Sequence, residues 1–141
     1  MVIPVFNEEE SIPYLYGKIK PVLEEMGKPY EVIFVDDGST DDTVKLLRDI
    51  SGKDTTVTVI KFRSNFGQTA AMSAGFDHAR GRIVIPLDAD LQNDPEDIPA
   101  VVAKFNEGYD VVSCWRKDRQ DKWITRKIPS MIANKIISWV S

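Results

Sequence analysis

The chain has 141 residues, 43% of them apolar and 28% charged, with one cysteine, Cys114, and a formal net charge of −4. That is about one domain, long enough to bury roughly 70% of its extended-chain surface, and it excludes disordered, collagen-like, fibrous and disulfide-framed classes. Taken whole, the net charge argues against a general nucleic-acid binder, but it is split: residues 115–141 hold seven bases and two acids (+5), leaving 11 bases against 20 acids (−9) in residues 1–114.

In chain order, Val2–Phe6 is a short apolar run and the first expected strand. Glu8, Glu9 and Glu10 follow it, so no leader-like apolar stretch develops. Ser11–Met26 places Ile12, Leu15, Ile19, Val22 and Leu23 on one helical face, with Pro13 in the first turn and Pro21 expected to kink the helix. Tyr30–Val35 is the second strand. Ser39 and Thr40 are cap-type residues before a helix over Asp41–Ile50. Val57–Phe62 is the third strand, and Gln68–Arg80 an Ala-rich helix that stops at Gly81. Its lone histidine, His78, reads as structural. Ile83–Leu87 is the fourth strand, Pro95–Asn106 a helix opening on proline, and Tyr109–Cys114 the fifth strand. Ile124–Val140 is a basic amphipathic helix, suited to a membrane surface or to packing in a larger domain. No apolar run approaches the roughly 20 residues of a membrane span. Strands alternating with helices predict an α/β chain with a mainly parallel sheet and helices on both faces.

In such a sheet, ligands bind beyond the carboxyl ends of the strands. The residues expected there are Asn7 and Glu8; Asp36, Asp37, Gly38 and Ser39; Arg63, Ser64, Asn65 and Gly67; Asp88, Asp90 and Gln92; and Arg116 and Arg119. So many carboxylates on one edge repel one another unless a cation offsets them. Asp88-Ala89-Asp90 sets two carboxylates at i and i+2, a spacing that can share one Mg2+ or Mn2+. Asp36-Asp37-Gly38-Ser39 reads both as a turn and as an acceptor for a base or ribose. Phe6 with Glu8 suits a stacked nucleobase. Arg116, Arg119 and Arg126 read either as a solvated basic face or, following a strand at the same edge as the acids, as the start of a basic side suited to a membrane surface or a partner. No Ser/His/Asp or Cys/His arrangement is present.

Together these residues resemble family 2 glycosyltransferases of the GT-A fold, from Pro4 to about Asn134. Pro4-x-Phe6-Asn7-Glu8, Val35-Asp36-Asp37-Gly38-Ser39-x-Asp41 and Asp88-Ala89-Asp90-Leu91-Gln92 fall in the family's order and spacing. Asn65-x-Gly67-Gln68 and Arg126-x-x-x-Ser130-x-x-Ala133-Asn134 look like the polyprenyl-phosphate branch, which includes dolichol-phosphate mannose synthase and bacterial undecaprenyl-phosphate sugar transferases. Phe6 stands where the family often has Tyr, Ser113-Cys114-Trp115 where a glycine is usual, and Asn93 where Asp is frequent.

The resemblance implies a Rossmann-like GT-A sheet, incomplete at the C-terminus, because family members continue further and then usually cross the membrane. It implies a nucleotide-sugar-binding core over residues 1–114 and a basic acceptor-side segment over 115–141. Pro4, Phe6, Glu8, Asp36, Asp88, Ala89 and Asp90 would bind the nucleotide sugar. Asp88, Asp90 and Gln92 would hold Mg2+ or Mn2+. Arg116, Arg126 and Ser130 would hold the acceptor phosphate, and Asp90 and Arg116 would be catalytic. The implied activity is metal-dependent inverting transfer from a nucleotide-diphosphate sugar, UDP-linked before GDP-mannose, to a polyprenyl phosphate at the cytoplasmic membrane face. The competing expectations are a catalytically incomplete nucleotide-binding fragment, a saccharide acceptor, and a phosphoacceptor signalling domain.

Overall fold

The computed structural model describes residues 1–114, of which Met1–Val111 form one compact unit. The expected helix over Ile124–Val140 and the basic segment lie outside the described residues. The order is β1 (Val2–Val5), α1 (Ser11–Glu25), β2 (Val32–Asp36), α2 (Thr43–Ser51), β3 (Val57–Lys61), α3 (Gln68–His78), a 3-10 turn (Pro95–Asp97) and α4 (Ile98–Phe105). The three strands pair in parallel in the order β1-β2-β3. Val2 sits opposite Ile33 and Ile33 opposite Thr58, so every strand points its carboxyl end to the same edge.

β1 and β2 are apolar on both faces because both faces are covered. Ile3, Val5, Val32, Phe34 and Val57 pack with Ile12, Leu15, Ile19 and Leu23 of α1, Leu47 of α2 and Ile98 and Val102 of α4. Val2, Ile33 and Val35 pack on the other face against Ala71 of α3. There α3 comes close to the sheet because residue 75 is glycine: a Cβ on Gly75 would lie 2.2 Å from Cγ1 of the fully buried Val2.

α1 runs through Pro21 without interruption. Gly17, whose carbonyl loses its partner to that proline, is exposed along with Pro21, so water can take the bond. The helix is also bolted at one side. The Asp54 carboxylate accepts from Tyr16 Oη at 2.6 Å, Lys20 Nζ, Thr56 N at 2.9 Å and Thr56 Oγ1 at 2.7 Å, tying α1 to the segment entering β3. Lys20, then Tyr16 and Thr56, hold the Asp54 carboxyl well below the usual carboxylate range. Burial and the bond to Asp54 push the Tyr16 phenol up to about 12. Because the folded value is depressed, this network's contribution is full above the unfolded Asp value of about 3.9 and is lost as pH falls through the folded value. Thermal melts between pH 7 and pH 2 should show Asp54→Ala less stable at neutral pH and declining less steeply in acid. Parallel curves for the two proteins would refute the assignment.

Two expected strands did not form. Ile83–Leu87 makes only a parallel bridge of Pro86 to Val2, with Val2 N donating to Ile85 O and Leu87 N to Val2 O, both 3.0 Å. The next rung would need an N–H from residue 4, which is proline. Tyr109–Cys114 is not a strand either; Val111 is 83% exposed and Cys114 is exposed. The outward-facing backbone at residue 86 belongs to Pro86, so this edge lacks the donor a further strand would use.

Helix starts also differ. α2 begins at Thr43, not Asp41, and no side chain caps it; Asp41 Oδ1 instead accepts from Thr43 N at 3.0 Å. Ser39 and Thr40 are used elsewhere, as described below. The helix expected from Pro95 opens as a 3-10 turn capped by Asp94, whose side chain accepts from Glu96 N. α3 ends at His78, with its Nδ1 2.8 Å from Ala74 O, and Arg80 N and Gly81 N turn to Glu31 Oε1. Among the described residues no helix is long and apolar enough to cross a membrane.

Candidate functional site

The loops leaving β1, β2, β3 and the 85–87 segment meet at the carboxyl edge, and side chains link them in series. Asn7 follows β1 in the left-handed region (φ 54°), a conformation that asparagine tolerates. Its N–H donates to Ser39 Oγ at 2.9 Å, and its Oδ1 accepts from Thr40 N at 2.9 Å. Glu8 N donates to Thr43 Oγ1 at 2.8 Å, and Asp42 N to Glu9 Oε2 at 2.8 Å. Ser39 and Thr40 therefore fasten the β2 loop to the β1 loop rather than capping α2.

Asp36 ends β2 and is fully buried; both its oxygens accept from Ser39 N at a long 3.3 Å. A carboxylate has about four acceptor positions, so one shared N–H leaves acceptor capacity on this side chain. Asp37 has a different task. Its Oδ1 accepts from Phe66 N at 2.7 Å and its Oδ2 from Gly67 N at 2.9 Å, clamping the loop that opens α3. Gly38 follows Asp37 at φ +77°, and a Cβ there would sit 2.6 Å from the Ser64 carbonyl carbon and 2.8 Å from Asn65 N.

Past the bridge, Asp88 is half-buried, Ala89 buried and Asp90 exposed. Gln68 Nε2 donates to Asp88 Oδ1 at 2.7 Å. Asp90 Oδ1 accepts from Gln92 N at 3.1 Å across Leu91, which is held at φ 59°. A left-handed leucine is strained by roughly 1–2 kcal/mol, and this turn leaves the Asp90 carboxylate facing solvent.

Among the described residues no group of three or more His, Cys, Asp or Glu side chains is arranged to enclose a metal ion. Two carboxylates on one turn could nonetheless hold Mg2+ or Mn2+, hard cations for which oxygen ligands are suited.

Of the residues expected to bind a nucleotide sugar, Pro4 is buried in β1, Phe6 is 44% exposed beyond it and Glu8 is half-buried, receiving Ser11 Oγ at Oε2 (2.6 Å). These join Asp36, Asp88, Ala89 and Asp90 on one edge, and Gln92 follows Asp90 in the same turn. Arg116, Arg126 and Ser130 lie outside the described residues. Sequence reasoning had no role for Gln68 beyond a motif position and none for Asp37 beyond the turn. Their signal was adjacency to a strand end and a helix start. A cavity of about 460 Å3 lies at the opposite edge, lined by Leu23, Met26, Tyr30, Ile83, Ile98 and Val102 among others. It is mainly apolar, and none of Glu8, Asp36, Asp88 and Asp90 lines it, so it does not serve the same chemistry.

A family model described as Glycosyl transferase family 2 matches residues 1–139. Among solved structures, the chain is similar to S. aureus TarS 1–349 in complex with UDP, with a TM-score of 0.59 and 22% identity over 83% of this chain and 38% of that one. The same protein in complex with UDP-GlcNAc matches with a TM-score of 0.59 and 22% identity, over 83% of this chain and 37% of that one. The mannosyltransferase PcManGT from Pyrobaculum calidifontis, in complex with GDP-Man and Mn2+, matches with a TM-score of 0.59 and 25% identity, over 82% and 34%. The chain thus spans less than half the length of these proteins, and the likeness to TarS is one of fold.

Proposed function

The chain belongs to glycosyl transferase family 2, and on that premise we propose that its carboxyl-edge loops bind a nucleoside-diphosphate sugar for transfer to a polyprenyl phosphate. The observation that carries this reading is the convergence of Asp36, Glu8, Asp88 and Asp90 on one edge of a parallel sheet, with their loops linked by side-chain hydrogen bonds. Complexes of the similar proteins with UDP, UDP-GlcNAc and GDP-Man support the donor class, and the complex with Mn2+ supports a divalent metal.

Each residue then has a physical task. Asp36 is an acceptor for N–H or O–H groups of the base or ribose, and the half-exposed Phe6 ring offers a stacking face beside it. Asp88 and Asp90 would hold Mg2+ or Mn2+, with Gln92 beside them in the same turn. When bound, the metal offsets negative charge on the departing nucleoside diphosphate. In the sequence beyond the described residues, Arg116, Arg126 and Ser130 supply donors for the acceptor phosphate, and the +5 segment suits an anionic membrane surface. A phosphate oxygen is already anionic at pH 7, so it attacks the anomeric carbon without a strong general base. That fits a site with no histidine: His78 is at the far end of α3.

Calorimetric titration of the chain with UDP and with GDP, each in Mn2+ and in EDTA, tests the donor site. Binding of at least one nucleotide should depend on the metal, and equal affinity in EDTA would sink the reading. Transfer of labelled sugar into an organic-extractable lipid tests the acceptor. Labelling of a saccharide instead, or none with a longer chain, would overturn the polyprenyl phosphate.

A further inference from the structure

The geometry points to Gln68 as a positioning residue that orients the Asp88 carboxylate for a divalent cation. The inference rests on the reading of Asp88 as a metal ligand. Gln68 is the first residue of α3, and its Nε2 donates to Asp88 Oδ1 at 2.7 Å. That bond takes one carboxylate oxygen and leaves Oδ2 for a cation.

Both partners are referenced to the same strand residue. α3 rests on β1 at the point where Gly75 meets Val2, and the segment leading to Asp88 hangs from Val2 through Leu87 N to Val2 O at 3.0 Å. The start of α3 is held a second time, by Asp37 through Phe66 N and Gly67 N. Gln68 therefore reaches Asp88 from a backbone fixed at two points, while Asp88 lies on a turn that, among the described residues, is bridged to the sheet at a single residue. A donor on a rigid element steering a carboxylate on a less regular one is the arrangement by which outer partners orient metal ligands.

Gln68 is exposed, so its amide is not needed to fill the core. This separates orientation from folding. Mn2+ titration of the full chain, read by the loss of the free-ion electron paramagnetic resonance signal, should show Gln68→Met and Gln68→Ala binding about 10- to 100-fold more weakly. Both variants should melt, without metal, at the wild-type temperature. Gln68→Met keeps the length of the side chain and removes its amide, so it should match Gln68→Ala. Asp88→Asn should bind more weakly than either.

If Asp88→Asn binds Mn2+ like wild type, the reading of Asp88 fails and takes the inference with it. If Asp88→Asn loses binding and both Gln68 variants keep wild-type affinity, the positioning role alone is wrong. A fall in metal-free melting temperature that accounts for the lost binding would also overturn it, because Gln68 would then be structural.

Discussion

Asp90→Ala should bind UDP or GDP no more tightly in Mn2+ than in EDTA, and should lower sugar transfer about 100-fold or more. The magnitude follows from the several kcal/mol that a Lewis acid contributes to leaving-group stabilisation, at about 1.4 kcal/mol per tenfold in rate. Removing one of two carboxylates leaves Asp88 as the single anionic side chain on that turn. The fold should survive, because Asp90 is exposed and accepts from Gln92 N within the same turn. Surface substitutions of this kind usually stay within about 0.5 kcal/mol. Asp90→Asn sharpens the test, since it keeps an oxygen acceptor for Gln92 N and discards only the charge. It should lose metal-dependent binding as Asp90→Ala does. Retention of metal-dependent binding by both variants would remove Asp90 from the site.

Gly38→Ala should destabilise the chain by about 3 kcal/mol, seen as a lower urea midpoint with an unchanged slope. Two effects add. The left-handed backbone at φ +77° disfavours any Cβ by about 1–2 kcal/mol, and overpacking costs about 1–3 kcal/mol. The clashing atoms are backbone atoms of Ser64 and Asn65, at 2.6 and 2.8 Å, which cannot rotate aside. Gly38→Asn separates the effects: asparagine tolerates the left-handed region but still carries the Cβ. It should remain clearly destabilised, and wild-type stability in that variant would show that the close approach is unimportant. Nucleotide affinity should fall as well, because the residues either side of Gly38 are Asp37, which clamps the α3 loop, and Ser39, which holds Asn7.

The elements legible in the sequence were those whose periodicity is enforced by burial. α1 shows this at Ile12, Leu15, Ile19 and Leu23, and β1 and β2 as short runs apolar on both faces. The failures have local causes that composition hides. Ile83–Leu87 is as apolar as β2, yet Pro4 removes the donor for its second rung and Pro86 the donor on its outer side. The proposed start of α2 missed because Asp41 bonds Thr43 N from outside the helix, while Ser39 and Thr40 bond Asn7 instead.

By itself, the sequence determined the α/β class, the parallel sheet and the gathering of Asp36, Asp88 and Asp90 at one edge, because β2 and the segment bridged to β1 run parallel and leave the sheet on the same side. Which carboxylate does what was decided only by tertiary structure. Asp36 and Asp37 are neighbours in a turn motif, but one keeps acceptor capacity while the other is committed to two backbone N–H groups 29 and 30 residues away. The bond from Gln68 to Asp88 spans 20 residues, and the contact between Gly75 and Val2 joins a helix to the far end of the chain. Strand and helix periods are set by neighbours a few residues apart. Hydrogen bonds and close approaches of this reach depend on where the packed sheet places each loop.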